Sequence, residues 1–189
     1  MEYSKEIDIR ECELVYPPKE DTFLLLECLT LSPGKKVLEM GCGTGLISCH
    51  IAAAGGVLTA ADINPWAVEC TRSNLQRNSL QGAVVESDLF AEVGGAFDLL
   101  VFNPPYLAAE EEGMLEKAWA GGATGLDVLA PFLEEADEHL LPEGRILLLL
   151  SSEMEPEGLE ALLSKFSHRR LGARRYFFEE LWVEELHTP

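Results

Sequence analysis

The chain has 189 residues, 47 % of them hydrophobic and 25 % charged, which is typical of one globular domain. Its 14 lysines and arginines stand against 33 aspartates and glutamates, so the formal net charge is −19. A surface this negative repels phosphate backbones and anionic lipids and attracts cationic partners. We therefore expect a single domain over residues 1–189 that does not bind nucleic acid directly.

The sequence also predicts the compartment. The first thirteen residues are charged and polar, and the longest apolar run, residues 146–150, is far shorter than the roughly 20 residues that a membrane span needs. The cysteines are odd in number and form no C-x-x-C pair, and the four histidines lack metal-ligand spacing. We expect a cytoplasmic protein without membrane contact or metal site, with all its cysteines reduced. The cysteines are Cys12, Cys28, Cys42, Cys49 and Cys70.

Strand-length and helix-length segments alternate through most of the chain. A first helix is predicted over residues 23–29, beginning at Asp21-Thr22. Strands are then predicted at residues 36–40, 57–61, 83–86, 97–102 and 145–150. Helices are predicted between them at residues 45–54, 65–78 and 124–141. This alternation indicates a parallel sheet covered by helices on both faces.

The end of the chain has a different pattern. After a predicted helix at residues 156–165, two predicted strands at 169–178 and 181–186 follow each other without a helix. They indicate an antiparallel hairpin at the edge of a mostly parallel, seven-stranded sheet. Asn64 and Pro65 form a helix start, and residues 141–144 are predicted to form a turn before the fifth strand.

A glycine-rich turn follows the first predicted strand. Gly41, Gly43 and Gly45 have the spacing G-x-G-x-G, which is neither a dinucleotide fingerprint nor a phosphate loop. Glu39 precedes the turn and would repel a phosphate. The turn therefore favours a cationic or zwitterionic ligand.

Two more carboxylates follow at strand ends. Asp62 ends the second predicted strand, where a carboxylate can accept hydrogen bonds from both hydroxyls of a ribose, and Asp88 follows the third. Ligands of open parallel sheets bind at the carboxyl ends of strands. We therefore expect these acids and the glycine turn to share one site.

This constellation resembles the Rossmann-like S-adenosylmethionine-dependent methyltransferases over residues 36–150. The resemblance implies an α/β Rossmann-like fold with S-adenosylmethionine as cofactor. It further implies that Glu39 and the glycine turn contact the methionine part. Asp62 would hold the ribose, and Asp88 with Leu89 the adenine.

Asn103-Pro104-Pro105-Tyr106, at the end of the fourth predicted strand, indicates the chemistry. The prolines stiffen the segment, so the Asn103 side chain and the Pro104 carbonyl can accept both N–H bonds of a planar –NH₂ group beside the cofactor. Tyr106 can pack over that group. The motif predicts methyl transfer to a planar nitrogen but leaves adenine, guanine and glutamine open.

Two further stretches, residues 15–26 and 118–125, make the chain similar to the HemK-like release-factor glutamine methyltransferases of the archaeal and eukaryotic short type. This family methylates the glutamine in the Gly-Gly-Gln loop of class 1 peptide release factors. The resemblance implies that Thr22 joins the cofactor site and that residues 103–106 hold the glutamine. Trp119 and its glycine loop would border the peptide.

The same family resemblance implies a partner. The short type is similar to enzymes that work with a small zinc-binding activator subunit, and the predicted strand at residues 83–86 could offer an edge for it. The glutamate-rich connection at residues 107–117 departs from the family pattern, so its substrate contacts do not carry over. Its acids would suit a basic release-factor loop.

The main alternative is a nucleic-acid base methyltransferase. Such an enzyme must bind phosphates. The only basic cluster lies near His168 in the predicted hairpin, and we interpret it as a solvated strand face. A non-catalytic scaffold is disfavoured because Asn103 and the glycine turn are intact. The cluster is Arg169, Arg170, Arg174 and Arg175.

Overall fold

The computed structural model describes residues 1–107 and 120–188, and their strands form one sheet. The strands are β1 Lys36–Met40, β2 Val57–Asp62, β3 Ala83–Glu86, β4 Phe97–Phe102, β5 Leu140–Ser151, β6 Ser167–Arg175 and β7 Glu180–His187. The helices are α1 Glu20–Cys28, α2 Leu46–Ala53, α3 Pro65–Arg77, α4 Leu129–Glu135 and α5 Pro156–Leu163. A 3₁₀ turn, Ala136–His139, follows α4.

The strand order is β3-β2-β1-β4-β5-β7-β6, with β1 to β5 parallel and β7 antiparallel to both its neighbours. The predicted seven-stranded, mostly parallel α/β sheet with a C-terminal antiparallel hairpin is therefore confirmed. From β1 to β3 each successive strand is added on one side of β1, and β4 and β5 are added on its other side, so the strand order reverses between β1 and β4. This is the switch point at which open sheets bind ligands.

Each central strand sends alternate residues into two separate cores. Leu99 and Leu147 pack with helices α1, α2 and α3, whereas Leu100 and Leu148 pack with α4 and α5. Both faces are apolar because both are covered, as expected for a parallel sheet. Tyr106, just beyond β4, packs against both cores.

The first helix begins earlier than predicted. Helix α1 starts at Glu20, so Asp21 is not its cap but a buried residue in its first turn. By contrast, the predicted cap at Asn64 is confirmed, because its side chain accepts a hydrogen bond from the Trp66 amide at 3.0 Å.

The predicted turn at residues 141–144 is wrong. These residues belong to β5, which starts at Leu140, and Glu143 has a φ of 63°. The pairing register shifts between Phe97 and Leu99 on the neighbouring strand. The turn-forming residues thus produce an irregularity within the strand rather than a break before it.

The helix predicted over residues 124–141 is shorter than expected. Residues up to Asp127 form a loop, and the last predicted residues enter the 3₁₀ turn and β5. The start of this loop is held by a distant residue, since the Glu155 amide donates to Thr124 O at 2.9 Å. This tertiary contact overrides the local helical pattern.

The expectation that all cysteines are reduced is wrong. Cys12 and Cys70 form a disulfide that ties the N-terminal segment, residues 1–19, to α3. Cys28, Cys42 and Cys49 carry free thiols. The paired cysteines are 58 residues apart, and the segment meets α3 only in the folded chain, so spacing could not reveal the pair.

Among the described residues, no helix is both long and apolar enough to cross a membrane.

Candidate active site

A cavity of about 340 Å³ opens at the carboxyl ends of β1, β2, β3 and β4, within the size range of small-molecule sites. Most of the predicted cofactor-binding and catalytic residues line it, whereas Gly45, Pro104 and Tyr106 do not. The predicted residues that line the cavity are Thr22, Glu39, Gly41, Gly43, Asp62, Asp88, Leu89, Asn103 and Pro105. The sheet thus brings together residues that are up to 83 positions apart in the chain.

The glycine turn needs its glycines for two different reasons. Gly41, Gly43 and Gly45 all have a positive φ, which side chains with a Cβ rarely adopt. Gly41 and Gly43 face the cavity. Gly45 instead precedes α2, and a Cβ there would lie 2.9 Å from Thr71 Oγ1, so its role is to let α2 and α3 approach closely.

Asp62 is held in place by the glycine turn. Its Oδ2 accepts a hydrogen bond from the Gly43 amide and its Oδ1 one from the Asn64 amide, each at 2.9 Å. Burial raises the pKa of Asp62, while these amides act in the opposite direction. Because a carboxylate has about four acceptor positions, both oxygens can still accept hydroxyl groups of a ligand.

Glu39 is a buried acid with a strongly shifted pKa. Burial, reinforced by the charge of Asp62, raises the pKa of Glu39 to about 8, although the Ser48 hydroxyl donates a hydrogen bond to Glu39 Oε2. A cationic group of a ligand would favour its ionised form. The cavity can therefore bind a positive charge beside Glu39.

The third carboxylate stands on a strained turn. Asp88 is exposed at the cavity rim, and Leu89 has a φ of 45°, a conformation that is uncommon outside glycine. The Ser87 hydroxyl donates to Leu89 O at 2.7 Å and holds this turn. Such strain clusters at ligand-binding sites.

Asn103 is oriented by an acid that sequence reasoning did not assign to the site. Its Nδ2 donates to Asp21 Oδ2 at 3.0 Å, and Asp21 is only 3 % exposed. The other end of the amide, Asn103 Oδ1, is buried and has no hydrogen-bond partner among the described residues. Asp21 thus fixes the orientation of a side chain that presents an unsatisfied carbonyl oxygen.

The rest of the motif is packed against the following glycine loop. A Cβ on Gly121 would lie 2.5 Å from Pro105 O, and one on Gly125 would lie 2.5 Å from Tyr106 O. Only glycine allows this approach. Burial, followed by the charges of Asp21 and Glu179, raises the pKa of Tyr106, so its phenol stays protonated.

The N-terminal segment forms one wall of the cavity. Val15, Tyr16 and Pro18 line it, and the Asn64 side chain reaches across to donate to Leu14 O at 2.8 Å. Of the cavity-lining residues before and within α1, sequence reasoning assigned only Thr22 to the site. Two prolines and a tyrosine just before a helix carry no chemistry that would have indicated the others.

The arginines of β6 are largely neutralised. Arg169 pairs with Glu185 at 2.8 Å, and Arg170 lies 3.2 Å from Glu180 and 3.4 Å from Glu184. Arg174 pairs with Glu27. The predicted solvated strand face is exposed as expected, and three of its four arginines are ion-paired, which leaves less positive charge to attract a phosphate. Trp119 and the acids of residues 110–116 lie outside the described residues.

Comparison with known proteins identifies the family. The model of the methyltransferase small domain matches residues 19–178. The chain belongs to this family. The small-domain methyltransferase is 39 % identical to a "putative protein N5-glutamine methyltransferase" of Methanocaldococcus jannaschii over 176 residues, covering 89 % of each chain. It is 38 % identical to methyltransferase HEMK2 of Mus musculus over 159 residues, covering 76 % of this chain and 74 % of the relative.

A solved relative has the same fold. The methyltransferase aligns with the E. cuniculi Mtq2–Trm112 complex, which is described as responsible for methylation of the translation termination factor eRF1. The TM-score is 0.75 at 25 % identity, covering 93 % of this chain and 99 % of the other. The predicted HemK-like resemblance and the predicted cofactor, S-adenosylmethionine, are thereby confirmed.

Proposed function

We propose that this methyltransferase methylates the side-chain amide nitrogen of a protein glutamine, in the Gly-Gly-Gln loop of a class 1 peptide release factor. The observation that carries the proposal is the buried, unpartnered Oδ1 of Asn103. An unpaired buried acceptor costs about 1–3 kcal/mol, and an arriving –NH₂ group would satisfy it. The names of the relatives support a glutamine amide as that group.

The residues of the motif act by positioning. Asn103 Oδ1 and the Pro104 carbonyl accept the two N–H bonds of the amide, which fixes its nitrogen and favours the positive charge that develops there. Tyr106 packs over the planar group. No strong base is needed before transfer, because the nitrogen loses its proton only once it has become acidic.

The other site residues bind the cofactor. S-adenosylmethionine supplies an electrophilic methyl group. Asp62 fits its ribose because each of its oxygens retains acceptor capacity, and Glu39 with Gly41 and Gly43 fits the charged methionine part. Asp88 and Leu89 fit the adenine at the rim, and Thr22 closes the cavity from α1.

The proposal includes one catalytic domain and one accessory partner. The strands of residues 1–107 and 120–188 form a single sheet, which supports one domain over residues 1–189. The similar Mtq2 is solved with Trm112, which supports a small activator subunit for this chain. That this subunit binds zinc is part of the proposal and follows from the family resemblance alone. Strand β3 is a sheet edge and offers a place for it.

A direct test uses labelled cofactor with purified release factor, or with total tRNA, in the presence and absence of an activator subunit. We expect label in the release factor and none in RNA. A release factor whose loop glutamine is replaced by alanine is the matched control and should remain unlabelled. Label in RNA would instead favour the base methyltransferase.

A further inference from the structure

The turn between β6 and β7, Tyr176–Glu179, carries an exposed aromatic pair. Phe177 is 92 % exposed and Phe178 87 % exposed, and their rings contact each other edge to face with centroids 4.7 Å apart. The turn is closed by the Tyr176 amide, which donates to Glu179 O at 2.7 Å. Contiguous exposed aromatics mark interaction surfaces more often than isolated ones do.

The turn lies at the same end of the sheet as the active site, where the parallel strands have their carboxyl ends. Strand β7 runs antiparallel to β5 with Leu181 opposite Ser151, so the turn extends beyond the carboxyl end of β5. Strand β4, which leads into the motif at residues 103–106, is parallel to β5. The Glu180 amide donates to Ser152 Oγ at 2.9 Å, and the Ser152 amide donates to Glu180 O at 3.0 Å. These bonds fix the base of the turn.

Negative charge connects the turn to the motif. Burial and then the charges of Asp21 and Glu179 raise the pKa of Tyr106. Burial raises the pKa of Glu179, and the charges of Glu153, Asp21 and Glu20, from the end of β5 and the start of α1, raise it further. Carboxylates from the end of β5 and from the first turn of α1 thus lie near the carboxylate of the turn.

We infer that Tyr176–Glu179 forms a substrate lip, which binds a basic polypeptide segment flanking the methylated glutamine. The inference rests on the proposed function and adds to it a binding surface and the chemistry of the segment. The two rings contact the aliphatic stems and cationic heads of arginine or lysine side chains, while Glu20, Glu153 and Glu179 attract their charge. The same acids disfavour an anionic lipid or a nucleic acid as the occupant.

The test is steady-state methylation of intact release factor by the double variant Phe177→Ser/Phe178→Ser. We expect the KM for the protein substrate to rise about tenfold, which corresponds to about 1.4 kcal/mol. The kcat and the KM for cofactor should stay within about twofold, because the lip touches neither the cavity nor Asn103. Thermal unfolding of the variant should match that of the wild type.

Val57→Ser is the matched control. Val57 is 56 % exposed, but it lies at the amino end of β2, whereas the site lies at the carboxyl ends of the strands, so its loss should leave every kinetic constant unchanged. An unchanged KM in the double variant, or an equal rise in Val57→Ser, overturns the substrate lip and leaves the proposed function intact. Absence of methyl transfer by the wild type overturns both.

The acids in and beside the lip are tested separately with Glu153→Gln/Glu179→Gln. This variant should show a lower kcat/KM at low salt and a flatter dependence of kcat/KM on salt than the wild type, since fewer charges steer the basic segment. A salt dependence identical to that of the wild type would contradict the role of these acids.

Discussion

At the scale of single residues, the site depends on how one amide is held. Asn103 offers a carbonyl oxygen to the substrate only while its Nδ2 is occupied, and Asp21 occupies it from a buried position on α1. A carboxylate can only accept, so it determines which end of the amide faces the substrate. Asp21 is therefore a positioning residue.

Asp21→Ala should lower kcat by about 10²-fold, because small misplacements of a positioning group have effects of this size. Cofactor affinity, measured by calorimetry, should change little. Asp21→Asn keeps the size of the side chain and one acceptor oxygen for Asn103 Nδ2, so it should retain more activity than Asp21→Ala. It should retain less than the wild type, because its amide can also present a donor to Asn103. A purely structural role would instead lower stability and leave kcat unchanged.

Measuring both methyl transfer and cofactor affinity separates the role of Asn103 from that of Asp62. Asn103→Ala should abolish transfer while cofactor affinity stays within severalfold. Asp62→Ala should weaken cofactor binding by about 1–3 kcal/mol, because hydrogen bonds to a charged group are removed. Unchanged cofactor affinity in Asp62→Ala would show that the ribose lies elsewhere.

Glu39 should make stability depend on pH. With a pKa of about 8 in the folded chain and an ordinary value of 4.5, the folded state retains a proton that the unfolded state has lost between these values. The free energy of unfolding should therefore fall as pH rises, by up to about 1.4 kcal/mol per pH unit from this group.

Urea unfolding of the wild type and of Glu39→Gln, at about pH 5.5 and about pH 7.5, measures this dependence. The glutamine variant should lack the Glu39 part of the decline and become relatively more stable at the higher pH. Parallel pH profiles for the two proteins would contradict the shifted pKa.

At the scale of elements, the N-terminal segment forms one wall of the cavity and is held in place by α3. It is attached to α3 by the Cys12–Cys70 disulfide and by the bond from Asn64 to Leu14 O, and the residues that follow these points line the cavity. One wall of the site thus depends on covalent attachment to a helix that is distant in sequence.

Removing the disulfide should weaken both folding and cofactor binding. Cys12→Ser/Cys70→Ser should lower the free energy of unfolding by up to about 4 kcal/mol, the entropic value for a loop of this length. It should also raise the cofactor Kd about fivefold, because the wall is ordered for less of the time. Cys28→Ser, which removes a half-buried free thiol, is the control and should change neither quantity much.

Elements were predictable where local pattern decides them. The bounds of β1, β3 and β4 match the predicted ones, because short apolar runs between polar or turn-forming residues leave little choice. The disulfide and the Asp21–Asn103 bond join residues 58 and 82 positions apart, and no local pattern encodes such a pairing. The predicted start of α1 is wrong for the same reason, because Asp21 has the residue type of a helix cap but accepts a hydrogen bond from the distant Asn103.

At the scale of the whole molecule, the net charge of −19 is unevenly distributed, because ion pairs neutralise some surfaces and not others. Three of the four arginines of β6 are paired with glutamates of β7 and α1, whereas the carboxylates of Glu20, Glu153 and Glu179 lie near the active-site end of the sheet. The protein should therefore attract a basic substrate from solution in an oriented way.

The kcat/KM for the protein substrate should fall about tenfold between about 0.05 M and about 0.5 M salt, because screening removes steering. The kcat at saturating substrate should change much less. Stopped-flow measurement of association would locate the effect in the on-rate. A salt-independent kcat/KM would mean that steering contributes nothing to encounter.

Tyr106 is the point at which the two cores of the sheet meet, because it packs against both. A molecule that kept only one half of its core would therefore lose the support of its catalytic motif. No partly folded form should be active, so the heat-inactivation curve and the unfolding curve should superimpose. Loss of activity in this enzyme would then report directly on cooperative unfolding of the entire sheet.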